Sequence, residues 1–111
     1  MTENWKQKAY DKLQRDGWSK GTAGSPGGPC CAGGAIAMAI TGCPRDMYSD
    51  SDGYTDEIDS ALREFAGFVG NPVEADYDPD IAVFFWNDRL FRTEEQVLDA
   101  FRRFAEIEGT E

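Results

Sequence analysis

The sequence predicts an all-α fold, a compact bundle of four or five short helices around a central small-residue helix at about positions 29–41. Three observations predict it. The stretch Gly27-Gly28-Pro29-Cys30-Cys31-Ala32-Gly33-Gly34-Ala35-Ile36-Ala37-Met38-Ala39-Ile40 is small and apolar all round. A helix with no polar face has to be covered on every side. Several flanking segments carry apolar residues at helical spacing. No second convincing strand exists to pair with a first, and an isolated strand has no stability of its own.

In chain order, residues 4–16 read as an amphipathic helix with Trp5, Ala9 and Leu13 at i, i+4 and i+8 and with Lys6, Lys8 and Lys12 on the solvent side. Gly17 ends it, and Trp18 anchors the returning chain on the core. Residues 19–29 form a Gly-rich loop that either brings its backbone close to something or moves freely. Pro29 suits the first position of the central helix, because its φ is already helical and its missing N–H is no loss there. Gly33, Gly34 and the alanines let neighbours approach the backbone of that helix. Gly42 and Pro44 stop it. The segment 29–41 is expected to lie sealed inside a ring of aromatic-bearing helices.

A polar loop follows from Arg45 to Tyr54. Thr55 is an N-cap, with Asp56, Glu57 and Asp59 in the turn where the helix dipole favours negative charge. Ile58, Leu62, Phe65 and Ala66 give that helix its buried stripe, and it ends at Gly67 to Gly70. Asp78-Pro79 reads as an N-cap and first helical residue. The run 81–86 is ambiguous, since β-branched and aromatic residues favour a strand while Ile81, Phe84 and Phe85 at i, i+3 and i+4 favour a helix. With no partner strand, a short helix is the reading. Thr93 and Gln96 form a capping box for a last helix with Val97, Leu98, Phe101, Phe104 and Ala105 inward. The 111 residues form one domain, with 1–3 and 109–111 frayed.

Composition narrows the function. The net charge is −10, unevenly placed: residues 1–45 hold six Lys/Arg against three Asp/Glu (+3), and residues 46–111 hold five against eighteen (−13). Such a surface repels nucleic acid and anionic membrane, so neither is expected as a direct partner. No membrane-spanning run and no leader pattern is present. Three cysteines, two of them adjacent, are no secreted disulfide framework and point to a reducing cytoplasm.

No catalytic constellation is evident, and no cofactor is expected. Cys30 and Cys31 fall in the first turn of the central helix, where the dipole lowers a thiol pKa, and Cys31 is the one weak catalytic candidate. The chain has no histidine, which excludes a Cys-His pair. Small buried residues filling a tight helix start explain both cysteines better. With Cys43 they match no zinc spacing. Asp50, Asp52 and Asp56 fall at positions 3, 5 and 9 of a calcium-type loop centred on Gly53, but Tyr48 and Asp59 spoil positions 1 and 12, so no metal is expected. The Gly-rich loop lacks the Lys-Ser/Thr of a phosphate cradle. Asn87 and Asp88 are read as fixing their own turn.

The order Gly17-Trp18, Cys31-Ala32-Gly33-Gly34-Ala35-Ile36, then Trp86-Asn87-Asp88 followed by Arg92-Thr93 and Val97 resembles an uncharacterised domain-of-unknown-function family of actinobacteria and their phages. Its members share a Gly-Trp after a first helix, a Cys-x-x-Gly-Ala helix start and a Trp-Asn-Asp before a capped last helix. The likeness covers roughly residues 5–106, and Cys30 and the acidic middle depart from it. It implies a common fold built on Trp18, Cys31, Gly34, Ala35, Trp86, Asn87 and Asp88, and a phage or actinobacterial origin. It implies no reaction.

The expected function is therefore a small non-enzymatic cytoplasmic interaction protein. It would bind a host or partner protein, basic or itself nucleic-acid-binding, through Asp50, Asp52, Asp56, Glu74, Asp76, Asp78 and Asp80. One alternative is a DNA-mimic inhibitor of a restriction or CRISPR-type nuclease, since Glu74, Asp76, Asp78 and Asp80 alternate and would line one face of an extended segment. Another is a thiol protein using Cys31. The apolar surplus of Phe84, Phe85 and Phe91 also allows a homo-oligomer.

Overall fold

The computed structural model describes residues 5–109 except Pro72, Ala75, Asp76 and Phe91, with side chains described to Glu106. Five α-helices follow one another: α1 (Trp5–Asp16), α2 (Ala32–Thr41), α3 (Asp56–Phe68), α4 (Pro79–Asn87) and α5 (Glu94–Gly109), with a 3₁₀ turn at Pro44–Met47. The all-α bundle of the sequence reading is the fold found. No helix among the described residues is long and apolar enough to cross a membrane.

The helix ends obey local chemistry. Thr55 Oγ1 accepts from the Ile58 N–H at 3.2 Å, as an N-cap should. The capping box of α5 closes in both directions: the Gln96 N–H donates to Thr93 Oγ1 and the Thr93 N–H to Gln96 Oε1, each at 3.2 Å. Gly42 stops α2 at φ +85°, its N–H reaching Met38 O at 3.0 Å. Asp78 and Pro79 open α4 as the sequence requires, and residues 81–86 are helical.

Helix α2 starts later than its composition suggests. Pro29 and Cys30 precede it, and Cys31 is the N-cap, its Sγ accepting from the Gly34 N–H at 3.3 Å. The reason is the Gly-rich loop, which pairs with the chain there. The Ser19 N–H donates to Cys30 O, the Cys30 N–H to Gly17 O and the Cys31 N–H to Ala23 O, which holds residues 30 and 31 extended.

Helix α2 packs on α1, α3, α4 and the 3₁₀ turn, while α5 packs on α1. Residues 30–37 are buried, whereas Met38, Ala39 and Ile40 are only half-buried. Three aromatic-bearing helices do pack on α2, but its last turn is not sealed, and the rings themselves cluster with one another. Phe65 stacks on Phe101 at 4.5 Å and meets Phe104 and Trp86 edge-on at 5.2 Å each; Phe68 and Trp5 pack on Phe104. This aromatic sector joins α1, α3, α4 and α5. The α2 start is packed instead by the Ala23 backbone on one side and the Met47 side chain on another. A Cβ on Gly34 would run into Ala23 O, and one on Gly33 into the tip of Met47.

Two lysines also depart from the helical-wheel expectation. Lys6 and Lys12 are buried, not solvent-facing. The Lys6 Nζ donates to Glu64 at 2.6 Å and lies over the Phe104 ring. Lys12 is 2% exposed, and its ammonium is ringed by Asp16 Oδ2 (2.6 Å) and the carbonyls of Ser25 (3.0 Å), Pro26 (2.8 Å) and Gly28 (2.8 Å). A buried ammonium is tolerated only when so paired. It fastens the Gly-rich loop to α1.

Candidate functional site

The sequence motifs converge on Asn87. Its Oδ1 accepts from the Trp18 Nε1–H at 2.5 Å and from the Ala32 N–H at 2.8 Å; its Nδ2 donates to Ser19 O at 3.1 Å and to Asp88 Oδ1 at 2.8 Å. That is a full set for an amide side chain. Ala32 is the first residue of α2, so its N–H has no partner within the helix. Asn87 supplies one from the end of α4. Asp88 continues the latch, accepting from the Gly21 N–H at 3.1–3.2 Å. Arg92 lies over the Trp86 ring and its Nε–H donates to Trp86 O at 2.9 Å. Asn87 and Asp88 therefore tie distant segments together, where the sequence reading favoured fixing their own turn over a polar site at the rim of the core. Trp18, Cys31, Gly34, Ala35, Asn87 and Asp88 lie at or beside the α2 N-terminus, while Trp86 packs on Phe65 and carries Arg92 over its ring.

Two of the three thiols lie in the same region, and Cys43 follows the far end of α2. Cys30 and Cys31 are fully buried and Cys43 half-buried; all three are free. Burial pushes the Cys30 thiol up to about 11. Burial pushes Cys31 up to about 12, against the Gly34 hydrogen bond. At Cys31 the lowering by helix-start N–H groups is outweighed by desolvation, and Cys30 lies before the helix altogether. The Cys31 Sγ instead contacts Met47 Sδ at 3.4 Å.

The acidic residues divide. Asp50, Asp52 and Asp56 are exposed, around a loop braced by Asp46, which accepts from Thr41 Oγ1 and Ser51 Oγ at 2.8 Å each. Among the described residues, no group of three or more Cys, Asp or Glu side chains is arranged to hold a metal ion. Glu74 and Asp78 are exposed. Asp76 lies outside the described residues. Asp80 departs from the expected surface position: it is 7% exposed, its carboxylate accepting from the Ser49 and Ile81 N–H groups at 3.0 and 2.8 Å. Asp80 does not line a face with the exposed Glu74 and Asp78, because α4 begins at Pro79 and carries Asp80 inward.

The sequence reading counted Phe85 in an apolar surplus but missed that Ile81 and, just ahead of the helix, Tyr77 join it on the outer side of α4. The helix buries Val83, Trp86 and Asn87, the opposite side from the Ile81 and Phe85 that marked it as helical. Tyr77, Ile81 and Phe85 stand in one row, 65%, 57% and 67% exposed. Fully burying each would have contributed about 1.5–3 kcal/mol, which the isolated chain forgoes. Together with Asn71, Val73, Ala82, Glu74 and Asp78 they line an open groove of about 510 Å³. Its wall is fixed from behind: Arg63 donates to Glu74 O and Tyr77 O, and Asn71 Nδ2 to Ala82 O. The spacing of four residues was the available signal. Phe84 turns inward to meet Tyr48 edge-on, and Phe91 lies outside the described residues.

Comparison with known proteins gives one finding. The model of DUF6197, a family of unknown function, matches residues 6–107. No curated protein and no solved structure matches the chain.

Proposed function

Since the chain belongs to DUF6197, a family of unknown function, we propose a role from its own surface: a small non-enzymatic interaction protein that binds another protein. The binding surface is the row Tyr77, Ile81 and Phe85, with Glu74 and Asp78 beside it and the acidic loop of Asp50, Asp52 and Asp56 as a second contact. The observation that carries this reading is three large apolar side chains left in water on a groove whose backbone is tied down. Exposed apolar rows with polar rims mark interaction sites in small domains. The carboxylates favour a basic partner and speed its arrival more than they tighten its grip.

Two facts favour binding over thiol chemistry. The Cys30 and Cys31 sulfurs are sealed, and their pKa values are raised. Three free cysteines also suit a reducing compartment, and we place the chain in the bacterial cytoplasm, as a phage or actinobacterial product. Affinity capture from an actinobacterial lysate tests the reading. Wild-type chain should recover a partner that an Ile81→Ser/Phe85→Ser variant loses. Recovery of the same proteins by both would refute it.

A further inference from the structure

We propose that the occupant of the α4 groove is a short amphipathic helix with basic flanks, an inference that rests on the protein-binding reading above and specifies the partner's shape.

The first argument is the geometry of the row. Tyr77, Ile81 and Phe85 are spaced by four residues, and α4 carries the last two on one face. Within α4, Ile81 and Phe85 form a ridge with a groove alongside, the surface that a second helix packs against, and Tyr77, ahead of the N-cap, extends its apolar edge. A partner helix would set residues at its own i, i+4 and i+7 positions into the groove floored by Val73 and Ala82.

Size is the second. Three such side chains, each about two-thirds exposed, offer roughly 300–400 Å² of apolar surface. A stable dimer buries roughly 800 Å² on each subunit. The patch is too small to hold a second copy of the chain by itself, and matches two turns of a bound segment.

The third is charge. Glu74 and Asp78 line the groove, and no Lys or Arg lines it among the described residues. Lys or Arg flanking the apolar stripe of a bound helix would meet these carboxylates. An added strand is disfavoured for a separate reason: the described residues contain only isolated backbone pairings, at Trp18, Gly24 and Cys30, and no strand edge to extend.

The test uses the whole chain and a synthetic helix of about five turns, with leucine along one face and lysine on its flanks. Amide NMR shifts and fluorescence titration are the readouts. Shifts should gather at Val73, Ile81, Ala82 and Phe85. Phe85→Ser should weaken binding roughly tenfold. Glu74→Gln/Asp78→Asn should weaken it about threefold and flatten its salt dependence. A glutamate-flanked peptide should bind roughly tenfold more weakly than the lysine one. Both Ile81 and Phe85 are exposed, so single serine variants at either site keep the fold, and Ile81→Ser serves as the independent check.

Equal binding by Phe85→Ser and wild type, or shifts centred elsewhere, overturns the proposal. Three further arms identify other occupants: a proline-rich basic peptide, zwitterionic lipid vesicles, and light scattering of the chain alone across concentration. If one of these engages the row and the leucine-lysine helix does not, the helix is the wrong occupant; the peptide or a second copy would leave the protein-binding reading standing, and vesicles would replace it. If no arm perturbs the row, both inferences fall.

Discussion

Trp86 and Asn87 are neighbours in the chain and belong to two differently built regions. Trp86 meets Phe65 in the aromatic sector, where large rings from four helices lie edge-on or stacked. Asn87 belongs to the latch, where small residues and hydrogen bonds hold backbone against backbone. Rings can shift by fractions of an ångström and still fill space. A carbonyl against a glycine has no such freedom, and a buried amide with four partners loses more than one when it is removed. Precision in this protein is therefore concentrated at the start of α2.

The sharpest way to break that comparison is Gly34→Ala. Its Cβ meets the backbone of Ala23, which cannot rotate aside, so a loss of more than about 3 kcal/mol is expected. Gly33→Ala is the control. It meets the flexible end of Met47, with Val83 at ordinary contact distance, and should cost about 1 kcal/mol. If urea denaturation finds the two equal, the tight loop contact does not matter. Asn87→Ala comes next, at about 3 kcal/mol, because the Ala32 and Trp18 N–H groups are left without an acceptor. The latch should loosen first, read as faster amide exchange at Ala32 than at Leu62.

Phe101→Leu probes the tolerant region and should cost about 1–1.5 kcal/mol in the same assay. A loss as large as that of Asn87→Ala would erase the distinction. The smallest effect at neutral pH is that of the thiols. Burial raises Cys30 to about 11 and Cys31 to about 12 from an ordinary 9.0, so between those limits the folded state holds protons that the unfolded state has released. Stability contributed below pH 9 is then lost as pH rises through 11. Denaturation midpoints measured from pH 7 to 11 should fall only at the alkaline end. At pH 8, a thiol reagent should modify Cys43 first and reach the other two only through opening.

The aromatic sector was readable from spacing, whereas the latch was marked only by the family resemblance, which named its residues and not their contacts. Ile58, Leu62, Phe65 and Phe101 announce their burial by spacing along their own helices, and Thr93 with Gln96 announces a cap three residues away. Asn87 announces nothing local: its partners Trp18, Ser19 and Ala32 lie 55 to 69 positions away. The helix start at Pro29 was misread for a related reason, since the pairing of Cys30 with Gly17 and Ser19 overrides a favourable proline. On α4 the period was right but left the inward face open, because which side of an apolar helix meets the core is decided by its neighbours. The exposed groove could be recognised only once Val83 and Trp86 had been placed inside.

Lys12 offers a built-in gauge of how often the interior admits water. Its amine can react with an acylating reagent only when Ser25, Pro26 and Gly28 let go of it. Lys8 and Lys20, already at the surface, mark time as internal references. The ratio of their labelling, followed by mass spectrometry, would report the breathing of the glycine segment without any engineered probe.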